Sequence, residues 1–145
     1  MAFHNAGWTL LDRAGRMETL DRDECHRLLS STNIGRLGYC TDSGPRIMPM
    51  NYTLVSESVT FRTGLDTEAS HQLFDHPIAF EVDQVDEFLK TGWSVLVIGN
   101  AQPLDEASLL LLDVGQSPEP WPEGQRSLVV QLPLTIMTGR RVHAA

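Results

Sequence analysis

Few side chains in this 145-residue chain have the company they would need to do chemistry. Ser94 is not framed as G-x-S-x-G and has no neighbour that would make it a nucleophile. Cys25 and Cys40 lack C-x-x-C spacing, so thiolates alone build no zinc cage, and both are expected to be reduced structural thiols. His71 and His76 stand five apart with no third ligand at a recognisable spacing, so no metal site is expected. What remains is recognition chemistry, and it gathers in the stretch Arg46–Thr63, RIMPMNYTLVSESVTFRT. Pro49 denies a strand ladder one donor, which suits an edge, a bulge, or backbone that meets something other than a strand. Arg62 either pairs with Glu81 across adjacent strands or holds an anionic ligand.

The elements that must position these residues follow from pattern. Residues 1–19 show no sustained period and read as an N-terminal arm, ahead of a domain over 20–145. Asp21 followed by Glu24 starts a short helix to about Ser30, with Cys25, Leu28 and Leu29 on its apolar stripe. Ile34–Thr41 has strand composition, and Asp42-Ser43-Gly44-Pro45 turns it into the key stretch. There the pleat places Met48, Met50, Tyr52 and Leu54 on a core face and Ile47, Pro49, Asn51 and Thr53 on the other. After a turn at Ser56-Glu57-Ser58, Val59, Phe61 and Thr63 alternate with Thr60 and Arg62, and Arg62 points away from the core.

A short helix over Thr67–Phe74 and a strand over Ile78–Val82 come next. Gly92–Ala101 is apolar on both faces, so a second subunit is a natural cover. Asp105 caps a helix to Leu112, a Pro-rich loop surrounds Trp121, and Ser127–Met137 is one long last strand. The result is a mainly β chain with short helices, a small closed or partly closed six-stranded antiparallel barrel.

Composition narrows the partners. Net charge is −8, from 19 acidic and 11 basic residues, and the bases are scattered, which argues against nucleic acid and anionic membranes. No window approaches the roughly 18 apolar residues of a membrane span, and no secretory leader is visible, so the cytoplasm is the expected compartment.

Six segments taken in order resemble a known family: Ile34-Gly35-Arg36-Leu37-Gly38, Pro49-Met50-Asn51-Tyr52, Phe61-Arg62-Thr63, Ala79-Phe80-Glu81-Val82-Asp83, Gly92-Trp93-Ser94-Val95 with Gly99 and Ala101, and Thr138-Gly139-Arg140-Arg141. Together they are similar to the small pyridoxamine 5′-phosphate oxidase-like split-barrel proteins, on the nitroimidazole-resistance-like side. The resemblance implies an FMN-binding split barrel that forms a homodimer, with flavin in a groove at the subunit interface and a small-molecule substrate. It implies a flavin-dependent oxidoreductase in which no side chain need be a catalytic acid or base.

By the same resemblance, Met48, Pro49, Met50 and Asn51 line the ring through their backbone, and Arg62 and Thr63 hold the ribityl-phosphate end. Ser70 and His71 stand in the loop beyond, Trp93 and Ser94 reach in from the partner subunit, and Arg140 adds charge at the rim. Trp93 also suits the core or the dimer interface. One departure stands out: close relatives carry a phosphate-binding lysine after the Arg-Thr pair, whereas Glu68 is near that position here and Lys90 is the only lysine. A carboxylate there would repel a phosphate. It keeps open a non-catalytic barrel that has lost FMN, or one that takes deazaflavin or haem in the same groove.

Overall fold

The computed structural model describes residues 15–64, 67–104, 108 and 127–144. Helix α1, Arg22–Ser30, starts where expected: the Asp21 carboxylate accepts from the Glu24 amide at 2.9 Å, satisfying one of the orphan donors of a first helical turn. Glu24 does not return the favour to the cap. Its carboxylate accepts instead from Arg27 and from Arg141, 117 residues away, so it ties the helix to the end of the chain.

Ten strands form two antiparallel sheets. In chain order they are β1 Gly15–Leu20, β2 Ile34–Thr41, β3 Gly44–Asn51, β4 Thr53–Val55, β5 Ser58–Gly64, β6 Ile78–Asp86, β7 Thr91–Gly99, β8 Gln102–Pro103, β9 Ser127–Pro133 and β10 Ile136–Ala144. The six-stranded sheet runs β1-β10-β7-β6-β2-β3 and the smaller one β4-β5-β9-β8. Helix α2, Glu68–Gln72, follows β5. This is the split-barrel architecture, mostly β, with two short helices bounded among the described residues.

Three expectations change. The arm expected over residues 1–19 enters the described residues at Gly15, and from there it is β1, paired along its length with β10. The single last strand is two, β9 and β10, turned at Leu134–Thr135 without a glycine or asparagine to announce the break. The strand expected over Gly92–Ala101 ends at Gly99, and the one expected over Ile78–Val82 runs on to Asp86, so β6 and β7 meet in a tight hairpin over Glu87–Lys90. The helix expected from Asp105 to Leu112 and the Trp121 loop lie outside the described residues, except Ser108.

The core lies between the sheets and under α1. Phe61 from the smaller sheet stacks on Phe80 of the larger one, with centroids 6.1 Å apart, and Tyr52 meets Phe80 edge-on at 5.0 Å. Such rings each bury a large apolar area and add about 0.5–1.5 kcal/mol per pair beyond it. Gly35 on β2 leaves the space that the Phe80 ring fills. Tyr52 is the one residue between β3 and β4, which belong to different sheets. Its amide donates to the Asn33 carbonyl at 3.0 Å and its hydroxyl to the Leu29 carbonyl at 2.6 Å, so the chain crosses between sheets at a fixed point. Burial pushes its phenol well above the usual range. The smaller sheet carries an exception to polar satisfaction: Thr60 is fully buried, and its hydroxyl has no hydrogen-bond partner.

Candidate functional site

Pro49 sits on β3, the outer edge of the six-stranded sheet, where its missing N–H costs no ladder bond. The strand alternates as the pleat requires. Met48 is half-buried and packs against the core, and Met50 is buried, while Pro49 is exposed and Asn51 half-buried on the opposite face. The side chains of the two methionines face the core and their main-chain groups face β2, so on the open edge the backbone on offer is that of Pro49 and Asn51. With β2 on one side only, the other edge of β3 leaves its main-chain groups available.

Across the barrel opening, β5 carries half-buried Arg62 and buried Thr63. Helix α2 joins this end of β5 to β3. Its cap Thr67 accepts from the Ser70 amide at 3.1 Å, and Ser70 Oγ accepts from the Thr67 amide at 3.1 Å, a reciprocal capping box. Thr63 Oγ1 and Thr67 Oγ1 are 3.3 Å apart, and Thr67 Oγ1 also donates to the Gly64 carbonyl. Ser70 is thus part of the cap, and His71 is exposed in the last turn.

The carboxylate of Glu68 reaches back to the six-stranded sheet. It accepts from Arg46 Nε at 3.2 Å and from the Tyr39 hydroxyl at 3.4 Å. Burial first, and then the Glu68 charge, push the Tyr39 phenol upward, so Tyr39 stays a donor. The departure noted in the sequence therefore has a local counter-charge. The sequence offered no signal for it, since Arg46 and Glu68 are 22 residues apart and meet only because α2 packs against β2, from where the Glu68 side chain reaches β3.

Cross-strand pairing of Arg62 with Glu81 is ruled out by topology: β5 lies between β4 and β9, and β6 belongs to the other sheet. Glu81 stands across from Arg36 on β2, whose Nη1 is 3.5 Å from Glu81 and 2.7 Å from Asp83. Burial, and then the neighbouring Asp83, push the Glu81 carboxyl up to about 7 against the pull of Arg36.

Trp93, Ser94 and Arg140 form a separate group. Ser94 and Arg140 are partners between β7 and β10, and Trp93 pairs with Arg141 and Gln84. Three strand spacings separate β7 from β3, about 14 Å. Within one chain β3, with Met48–Asn51, lies near β5, with Arg62 and Thr63, and Ser70 caps α2 beside Thr63, whereas Trp93, Ser94 and Arg140 stand apart. Trp93 lies in an open groove of about 690 Å³ with Gln84, Asp86, Thr91, Arg141 and His143. On β7, Val95 and Val97 are fully buried, but Ile98 on the other face is 39% exposed, so the chain covers only one side of a strand that is apolar on both. No described helix is long and apolar enough to cross a membrane.

Comparison with known proteins adds to this geometry. The family described as pyridoxamine 5′-phosphate oxidase matches residues 21–141. An uncharacterized protein of Mycobacterium tuberculosis is 32% identical over 130 residues, covering 86% of this chain and 85% of its own length. Among solved structures, an FAD-binding protein of Mycobacterium smegmatis is 32% identical with a TM-score of 0.71, over 86% of this chain and 98% of that one. An FAD-binding protein of Mesorhizobium loti has a TM-score of 0.67 at 18% identity, over 86% and 97%, a likeness of fold.

Proposed function

Since the chain belongs to the pyridoxamine 5′-phosphate oxidase family, we propose that it binds a flavin at the rim between β3 and β5 and acts as an oxidoreductase on a small molecule. The observation that carries the reading is the Arg46–Glu68 pair. Glu68 was the main argument against a phosphate here, and its carboxylate is engaged by Arg46 and Tyr39. Arg62 then supplies the cation that a phosphate needs, the Thr63 hydroxyl would turn from Thr67 to donate to it, and the open edge of β3 lines the ring with backbone groups. That donor set fits the ribityl-phosphate and ring common to FMN and FAD. FMN is the smaller ligand that satisfies it, and the mycobacterial relative named for FAD supports the flavin class.

The bound flavin would supply the hydride or electron transfer. The chain's part is to hold the phosphate with Arg62 and Thr63, to fix the ring against Pro49–Asn51, and to exclude water with the apolar wall behind them. A second copy would complete the site with Trp93 and Ser94, which one chain holds about 14 Å from β3, and Arg140, about 19 Å from it. This reading makes the protein a homodimer.

The test is a visible spectrum of the purified protein, followed by titration with FMN and with FAD. Flavin bands, or uptake of either nucleotide with a loss of at least about tenfold in affinity in Arg62→Ala, support the proposal. A colourless protein that takes up neither overturns it, a Soret band would indicate haem, and selective uptake of a deazaflavin would replace the cofactor.

A further inference from the structure

The face of the six-stranded sheet turned away from the core is unusually apolar for a solvent-facing surface. Its register sets out two straight rows. Ile47, Gly38, Ala79, Ile98 and Ile136 are successive partners across β3, β2, β6, β7 and β10. Ile47 is 76% exposed and Ile136 55%. The next row outward-facing on the same strands is Pro49, Arg36, Glu81, Leu96 and Thr138. The charged pair at its centre is completed by Asp83, two residues along β6.

From this arrangement we infer that a second copy of the chain docks on this face and that its association consumes protons, Glu81 holding a proton in the assembled pair. The inference rests on the homodimer reading given above and concerns what controls it. Several features favour a second copy as the occupant. The apolar row is a single straight stripe, which matches itself when turned about a two-fold axis. The cluster beside it carries both signs. Pro49 and Asn51 on β3, Ser94 about 14 Å away and Arg140 about 19 Å away share this face, so the two halves of the candidate site meet across it.

The proton follows from charge balance. Each copy brings one guanidinium for two carboxylates, so two copies bring two for four, however the partners are exchanged. Closing the sheets over them removes water from the surplus negative charge, which is costly unless it is neutralised. Among the described residues the neighbouring strands offer no further cation at contact distance: β3 contributes Ile47 and Pro49 here, and β7 contributes Ser94 and Leu96. Arg140 is the nearest other charge on the face, about 10 Å from Asp83 across two strand spacings, and exposed. Glu81 is the acid best placed to respond, because burial and Asp83 already raise it to about 7 in one copy. Docking buries it further and raises it again. The direction is then set: association is tightest below about pH 7 and weakens as pH rises through and above that value.

Sedimentation equilibrium of the full chain at about pH 6 and about pH 8.5 tests this. We expect the dissociation constant to rise by about tenfold or more toward alkaline pH, up to about tenfold per pH unit for each proton taken up. Glu81→Gln should remove the dependence and stay tight at both values. Dilution heats in two buffers of different ionisation enthalpy count the protons in the wild-type protein directly, with an uptake of about one to two per pair expected. Ile47→Asp should dissociate the pair at both values. A wild-type chain that is monomeric throughout overturns the homodimer reading itself. A stable pair with a pH-independent constant, no proton uptake, or a dependence that survives Glu81→Gln overturns the proton linkage alone. Partner neutralisation by Arg140 would overturn it too, and would show as a pH dependence created by Arg140→Gln in a pair that had none.

Discussion

A single methyl group at Gly35 would test whether the aromatic centre of the barrel is as tightly set as described. A Cβ built there lies 2.6 Å from Phe80 Cζ, closer still to Cε1, and 3.0 Å from the Glu81 carbonyl oxygen. Ordinary carbon contacts are about 3.5–4.0 Å, so the ring would have to retreat by about 1 Å. It has nowhere to go, since Phe80 is fully buried, stacked on Phe61 and edge-on to Tyr52. Overpacking of this kind costs about 1–3 kcal/mol, while the less flexible unfolded chain returns about 0.4–1 kcal/mol. Gly35→Ala should therefore lose about 1–2 kcal/mol, read by urea titration at unchanged m-value, with a melting temperature lower by several degrees. Gly38→Ala on the same strand is the control. Its nearest neighbour would be Ala79 Cβ at 3.7 Å, so stability should hold or rise slightly. Phe80→Leu in the Gly35→Ala background should recover part of the loss, a coupling visible in a double-mutant cycle. A Gly35→Ala protein as stable as wild type, or strictly additive effects with Phe80→Leu, would refute the contact. The same ring sits behind Tyr52 and Phe61, the neighbours of Asn51 and Arg62, so flavin affinity should fall along with stability.

Other expectations are more local. Thr60→Val keeps the β-branched shape and removes a buried hydroxyl without a partner, so stability should rise by about 1–2 kcal/mol in the same urea assay. Arg46→Ala should weaken FMN binding several-fold by releasing the Glu68 charge, and Glu68→Ala in that background should restore it; equal affinity in all three proteins would remove Arg46 from the account. Arg27 and then Arg141 hold the Glu24 carboxyl down at about 2. Its contribution is thus present above the usual carboxylate range and lost as pH falls toward 2, so Glu24→Gln should flatten that part of an acid-unfolding curve.

The parts of the fold visible in sequence were those with local signals. The Asp21 cap and the β2–β3 hairpin each follow from neighbours in the chain, and each is observed; the strand through Val59, Phe61 and Thr63 is also there, but Thr60 between them is as buried as they are. Pro49 also foretold an edge correctly, because a missing donor is a property of one residue. What escaped was set by distant partners. β10 was unreadable because Thr138-Gly139-Arg140-Arg141 has no apolar alternation. Gly139 is small because a Cβ there would sit 2.5 Å from Cys25 Sγ on α1. The Arg36–Glu81–Asp83 cluster and the Arg46–Glu68 pair depend on strand order, so of the two readings of Arg62 the cross-strand pair with Glu81 falls away with the neighbour it assumed. Family resemblance carried the architecture further than periodicity did, since six weak segments in order specify what none does alone.

The crossing at Tyr52 bears on how the protein comes apart. The sheets are also joined at β5–β6, β7–β8 and β9–β10, but between β3 and the β4–β5 hairpin the one tie is Tyr52, so that side opens like the covers of a book about its spine, and the rim between β3 and β5 is the fore-edge. A molecule gripped by both covers is a clasp: the pages cannot part until it leaves. Saturating flavin at about a hundred times its dissociation constant would add about 2.7 kcal/mol to stability. Because the clasp spans a seam that must open early, that gain should appear mainly as slower unfolding, leaving the refolding rate nearly untouched.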